Sequence, residues 1–205
     1  MNKIDTIIFD LGGVLIDWNP EYVFLDVFNN NKEKTKWFLD HICTSDWNEN
    51  QDAGYPIAQA TEDRVALFPE YEKEIRLFYG QWTDMLGGAI EGTVNILKKC
   101  IESKNYKVVA LTNWSAETFP IALNRFEFLN WFEGILVSGE ENTRKPFEDI
   151  YNLTLERFNI NPEHAVFIDD NLRNIEAANK LGIDGIHFET SEKLIHQLKT
   201  FNINL

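Results

Sequence analysis

The chain has 205 residues, 44% hydrophobic and 25% charged, which is the profile of a globular domain with room for one substantial core and an insertion, and excludes a disordered or fibrous protein. Its 33 acidic residues against 19 basic ones leave a formal net charge of -14, which disfavours nucleic acid and anionic membrane surfaces as partners. Its apolar runs fall far short of the roughly 20 residues that cross a bilayer, and Met1-Asn2-Lys3-Ile4-Asp5 lacks the apolar stretch of an export signal, so a cytoplasmic location is expected.

In chain order, a buried strand is predicted over 4–10, where Ile7-Ile8-Phe9 runs directly into Asp10. From about 18 to 87 the strand signal is lost and the pattern becomes helical at 21–29, 33–43, 56–66 and 71–80, which marks an inserted helical cap over 18–87. The remaining core, 1–17 and 88–205, resumes with a helix whose stripe is Ile90, Val94, Leu97 and Ile101. Strands follow at 106–112, 134–138 and 165–169. A helix then begins near Asn171 and closes at Gly182, a further strand occupies 185–188, and a last helix starts at a Ser191 cap with Leu194, Ile195, Leu198 and Phe201 on its stripe. The alternation is that of an α/β protein with a doubly wound parallel sheet, which binds ligands at the carboxyl ends of its strands.

The polar residues at those strand ends carry the chemistry. Asp10 enters the turn Leu11-Gly12-Gly13, where backbone N–H groups can approach an anion; a carboxylate there can attack phosphorus, or simply cap a helix. Asp169-Asp170 closes an apolar strand, and adjacent carboxylates repel one another unless a cation such as Mg²⁺ intervenes or Asp170 serves as a cap. Thr112 and Asn113 offer a hydroxyl and an amide to a phosphate oxygen. Lys145 before Pro146 supplies a point cation that can neutralise a transferring group and hold Asp10 ionised. Cys43 and Cys100 lie far apart without CxxC spacing, and His41, His164, His187 and His196 are scattered, so neither a disulfide framework nor a zinc site is signalled.

Taken together, Phe9-Asp10-Leu11-Gly12-Gly13, Leu111-Thr112-Asn113, Arg144-Lys145-Pro146 and Phe167-Ile168-Asp169-Asp170 resemble the four motifs of the haloacid-dehalogenase-like superfamily. The resemblance spans the chain and implies a Rossmann-like core with a helical cap, hydrolysis of a small-molecule phosphate ester through an aspartyl-phosphate on Asp10, and phosphate binding by Thr112 and Lys145. It also implies Mg²⁺ held by Asp10, Asp170 and the backbone carbonyl of Gly12. Gly-Gly after the nucleophile with a paired Asp in the fourth motif looks most like phosphatases of α-D-glucose 1-phosphate and related sugar phosphates.

Phosphatases of that superfamily usually carry a second Asp two residues after the nucleophile, as acid for the leaving group and then base for water; here Gly12 stands there. Such catalysis contributes about 10²–10⁴-fold, so its loss threatens rate rather than binding. Asp17 or a cap residue is a candidate replacement. Two alternatives follow from Gly12: a 2-haloacid dehalogenase, which lacks that Asp but would leave Asp169-Asp170 without purpose, and a catalytically weak phospho-ligand-binding protein. Trp18, Trp47 and Trp114 are the candidates to line a substrate pocket.

Overall fold

A computed structural model describes residues 3–203; Met1 and Asn2, on which the N-terminal reading partly rests, lie outside the described residues. Strand β1 (Thr6–Phe9) is followed by β2 (Ile16–Trp18) and a run of helices: α1 (Glu21–Val27), α2 (Lys32–His41), α3 (Ser45–Asp52), α4 (Ile57–Leu67) and α5 (Glu72–Gly80). The chain returns through β3 (Leu86–Ala89), α6 (Glu91–Ser103), β4 (Lys107–Thr112), α7 (Phe119–Arg125), β5 (Ile135–Val137), α8 (Ser138–Glu141) and α9 (Glu148–Arg157). It finishes with β6 (Ala165–Asp169), α10 (Leu172–Lys180), β7 (Asp184–His187) and α11 (Ser191–Thr200).

The five expected strands form one parallel sheet in the order β5-β4-β1-β6-β7. β1 is central and bonded on both edges, and a strand covered on both faces must be apolar throughout, which is why Thr6–Phe9 is wholly buried. Successive side chains point to opposite faces. Ile7, Phe9, Val108, Ala110, Val166 and Ile168 pack with Leu97 of α6 and Leu194 and Leu198 of α11. Ile8, Val109, Leu111 and Phe167 pack on the other face with Ile150 and Tyr151 of α9 and Ile175 and Ala178 of α10. Two covered faces make this a doubly wound, Rossmann-like α/β fold.

The helical segment leaves and rejoins the sheet through a short antiparallel ribbon, β2 with β3, which pairs Ile16 with Ala89 and Asp17 with Gly88. No strand is expected here from sequence, because Leu86-Gly87-Gly88-Ala89 has low β propensity and pairs only where Ile16–Trp18 lies against it. Helix α3 likewise lies outside the predicted helices. Its sequence SDWNENQD buries only Trp47 and Gln51, too little for an apolar stripe, and the Thr44 side chain, accepting from Trp47 N, supplies its N-cap. One cap is corrected: Thr190, not Ser191, accepts from Lys193 N at the start of α11, while Ser191 Oγ lies 2.9 Å from Thr93 Oγ1 and ties α11 to α6. Gly182 has φ 84°, as a residue closing α10 should. No helix among the described residues is long and apolar enough to cross a membrane.

Candidate active site

The carboxyl ends of β1, β4 and β6 deliver Asp10, Thr112 and Asp169-Asp170 to one place, because parallel neighbours in register end together. Lys145 enters from the loop before α9 and is fully buried. Its Nζ lies 2.9 Å from Asp10 Oδ2 and 2.7 Å from Asp169 Oδ2, and donates to the Leu111 carbonyl at 3.2 Å. Asp10 Oδ1 accepts from Leu11 N at 2.7 Å. Burial and the neighbouring Asp169 and Asp170 hold the Asp10 carboxyl well above the usual range, with Lys145 opposing. Desolvation alone would lower Lys145, but Asp10 and Asp169 outweigh it and its pKa is raised.

Asp10, Asp169 and Asp170 present carboxylate oxygens within 4.8 Å of one another, and Lys145 is the ammonium paired with the first two. Three carboxylates against one ammonium leave an excess of negative charge, the situation a hard divalent cation relieves. The donors differ in freedom. Asp169 is saturated: besides Lys145 it accepts from Asn171 N at 2.7 Å and from Asn174 Nδ2 at 3.0 Å on each oxygen. Asp10 and Asp170 face the cavity, so this oxygen-only set fits Mg²⁺ with those two as charged ligands and Asp169 as the residue that fixes Lys145.

Gly12 and Gly13 line the same cavity, but their backbones ask for different things. Gly13 has φ 72°, and a Cβ there would sit 2.3 Å from Asp170 Oδ2, so only glycine lets the turn and Asp170 coexist. A Cβ on Gly12 meets nothing within 4 Å, and its φ lies outside the left-handed region. Thr112 Oγ1 is buried without a hydrogen-bond partner among the described residues, and Thr112 lies beneath the cavity rather than in its lining. Asn113, expected to donate to phosphate, lines the cavity and also ties the backbone of Lys145, giving Nδ2 to its carbonyl at 3.0 Å and taking its N–H at 2.8 Å.

The cavity above these groups has a volume of about 270 Å³. Trp18 and Trp114 line it as expected, but Trp47 does not: its indole donates to the Ala60 carbonyl and packs on Phe78 and Tyr79 inside the helical segment. Trp82 takes its place, edge-on to Trp114 at 5.5 Å. Asp17 is also corrected as a candidate acid, since it lies outside the lining and accepts from Tyr22 Oη at 2.6 Å. Instead α3 contributes Ser45, Asn48, Glu49 and Asp52. Glu49 bonds at 2.7 Å to both Arg144 and Arg173, joining α3 to the loop that holds Lys145 and to the helix after Asp170. No sequence signal marked these residues, because a polar helix has no apolar period. Cys43 and Cys100 are free, and burial pushes each thiol up to about 12, which suits structural rather than reactive cysteines.

A profile of haloacid dehalogenase-like hydrolases matches residues 7–188. Among curated relatives, a sesquiterpene phosphatase of Aspergillus oryzae is 26% identical over 90% of this chain and 89% of its own length. A phosphorylated carbohydrates phosphatase of Thermotoga maritima is 25% identical over 90% of this chain and 84% of its own. In structure the chain is similar to a HAD family enzyme of Bacteroides thetaiotaomicron solved with magnesium and inorganic phosphate, with a TM-score of 0.68 and 24% identity over 95% of this chain and 98% of that one.

Proposed function

The chain belongs to the haloacid dehalogenase-like hydrolase family, and we propose that within it this protein is a magnesium-dependent phosphatase in which Asp10 takes the phosphoryl group of a small metabolite. The observation that carries this reading is the buried Lys145 bridge to Asp10 and Asp169 beside the free carboxylate of Asp170. A dehalogenase has no use for so large an excess of carboxylate, whereas phosphoryl transfer combines a carboxylate nucleophile with cationic neutralisation of the phosphate.

Asp10 is the nucleophile, attacking phosphorus to form an acyl phosphate that water then hydrolyses. Thr112 Oγ1, the backbone N–H of Gly12 and the Lys145 ammonium hold the phosphate oxygens, while the Gly13 N–H, expected to do so too, donates to the Ile16 carbonyl at 2.9 Å. Asn113 positions Lys145 through its backbone. Mg²⁺, when bound by Asp10, Asp170 and the Gly12 carbonyl, supplies charge to the phosphate and favours ionised Asp10. Residues 18–87 act as the cap on a core of 1–17 and 88–205; the β2–β3 ribbon through which that segment enters and leaves, and the lining that α3 contributes, support this division.

The substrate is a sugar phosphate, with a glucose 1-phosphate type favoured. The cavity lies just below the usual range of about 300–1,000 Å³, which suits a small metabolite. Ser45 and Asn48 share the lining with three indoles, a mixture suited to a hydroxylated ring. The relative named for phosphorylated carbohydrates points the same way. Turnover of p-nitrophenyl phosphate with and without Mg²⁺, followed by a sugar phosphate panel, tests the reading. Activity on 2-haloacids, with halide release that EDTA leaves untouched, would overturn it.

A further inference from the structure

Position 12 lacks the acid that a phosphatase of this type uses, and the space around Gly12 is open. We propose that Asp52, the last residue of α3, is the acid–base residue of this site, donating a proton to the leaving oxygen and later taking one from the attacking water. The proposal rests on the phosphatase reading above.

Asp52 lines the same cavity as Asp10, Gly12 and Lys145. Although it belongs to the helical segment, it is anchored to the core. Ser138 Oγ at the start of α8 donates to its carbonyl, and the N–H of Ser115, in the loop after β4, donates to its carboxylate. Asn48 Nδ2 lies 3.1 Å from Oδ2. These contacts fix the carboxyl in the cavity wall while leaving it without an ion pair among the described residues. Glu49, one turn earlier in α3 and also in the lining, differs in that respect, being tied to Arg144 and Arg173; it is a strap, and Asp52 is free to change charge.

The groups around Asp52 agree with that role. Burial pushes its carboxyl up to about 7, the like charge of Glu49 adds to this, and Ser115 N, Arg144 and Lys145 oppose it. Tyr79 on α5 feels the Asp52 charge and is itself raised by burial, so it stays neutral. A carboxyl that exchanges its proton near neutrality is suited to act first as acid and then as base.

In the first step a carboxylate oxygen of Asp10 bonds to phosphorus, the bond from phosphorus to the ester oxygen breaks, and that oxygen leaves with the Asp52 proton. In the second, water bonds to phosphorus and gives a proton to the Asp52 carboxylate, the bond to Asp10 breaks, and inorganic phosphate departs. Asp10 is then again a carboxylate and Asp52 again an acid.

The test compares wild type with Asp52→Asn on p-nitrophenyl phosphate, phenyl phosphate and an alkyl phosphate with Mg²⁺ present. The variant is expected to lose about 10²–10⁴-fold in kcat/KM on phenyl and alkyl phosphates, and far less on p-nitrophenyl phosphate, whose leaving group needs no proton. It should release p-nitrophenolate in a burst of about one equivalent as the aspartyl phosphate stalls. The fall in wild-type kcat/KM on phenyl phosphate as pH rises through about 7 should vanish in the variant. Should Asp52→Asn not fold, Asp52→Glu carries the comparison, and is expected to keep the pH limb at reduced rate. A folded Asp52→Asn within about threefold of wild type on phenyl phosphate, limb intact, overturns this proposal alone. A wild type inert on every phosphate ester, or Asp10→Asn retaining activity, overturns the phosphatase reading and this proposal with it.

Discussion

Lys145 holds its ammonium 2.9 Å from the Asp10 carboxylate with its side chain wholly buried. Removing one partner of such a pair leaves the other charge uncompensated, which costs about 3–5 kcal/mol. Lys145→Met should therefore lower Tm and cut kcat/KM by at least about 10³-fold, and added Mg²⁺ should restore part of the Tm, because it supplies positive charge to the same carboxylates. Thermal melts with and without Mg²⁺ check this.

Asp10→Asn is expected to abolish turnover while the protein folds, since the amide is nearly isosteric but not a nucleophile. Tm should hold or rise, because Asp169 and Asp170 lose a like-charged neighbour in a buried setting. Residual p-nitrophenyl phosphate turnover within a few-fold of wild type would remove Asp10 from its role.

Asp170→Asn deletes a charged oxygen ligand from the most exposed member of the acidic cluster. The Mg²⁺ concentration needed for half-maximal activity should rise by about tenfold or more, with Tm in EDTA changed by little. The measurement is activity against Mg²⁺ concentration.

The two glycines of the turn should respond oppositely. Gly13→Ala forces a Cβ onto Asp170 at a left-handed φ, and is expected to destroy activity and lower Tm. Gly12→Asp has open space and ordinary backbone, so it should fold. Once the Asp52 acid is removed, an anomeric phosphate, whose leaving hydroxyl is the more acidic, is expected to keep the higher kcat/KM. Asp52→Asn should thus favour glucose 1-phosphate over glucose 6-phosphate more strongly than wild type does, and adding Gly12→Asp to it should narrow that gap. An unchanged ratio in the single and double variants sinks the leaving-group argument.

Asp52 also makes a prediction about stability. Its folded carboxyl titrates at about 7 against an ordinary value of 3.8, so the folded state binds the proton more tightly. The stability this gives is full below about pH 4, is lost as pH rises to about 7, and stays lost above. Because Asp52 is half-buried, about 1–2 kcal/mol is expected. Asp52→Asn should therefore match wild type in Tm only below about pH 4 and exceed it by a few degrees at pH 8.

The sequence by itself determined the parallel sheet and the motifs at its edge. Strands covered on both faces must be continuous apolar runs, so 7–9, 108–111 and 165–168 announce themselves, and the polar residues where each run stops, Asp10, Thr112 and Asp169-Asp170, are visible as interruptions. Lys145 was legible only through motif order. The tertiary structure alone decided what surrounds them. Helix α3 is polar nearly throughout, and the glycine-rich β3 is a strand only because β2 pairs with it, so neither leaves a periodic trace. Trp82 rather than Trp47 reaches the cavity, Asn113 turns to the Lys145 backbone, and Asp52 is brought to the wall by Ser115 and Ser138. Each of these depends on contacts between residues far apart in the chain, and the local pattern of side chains does not encode which of several similar aromatics or acids such contacts will turn inward.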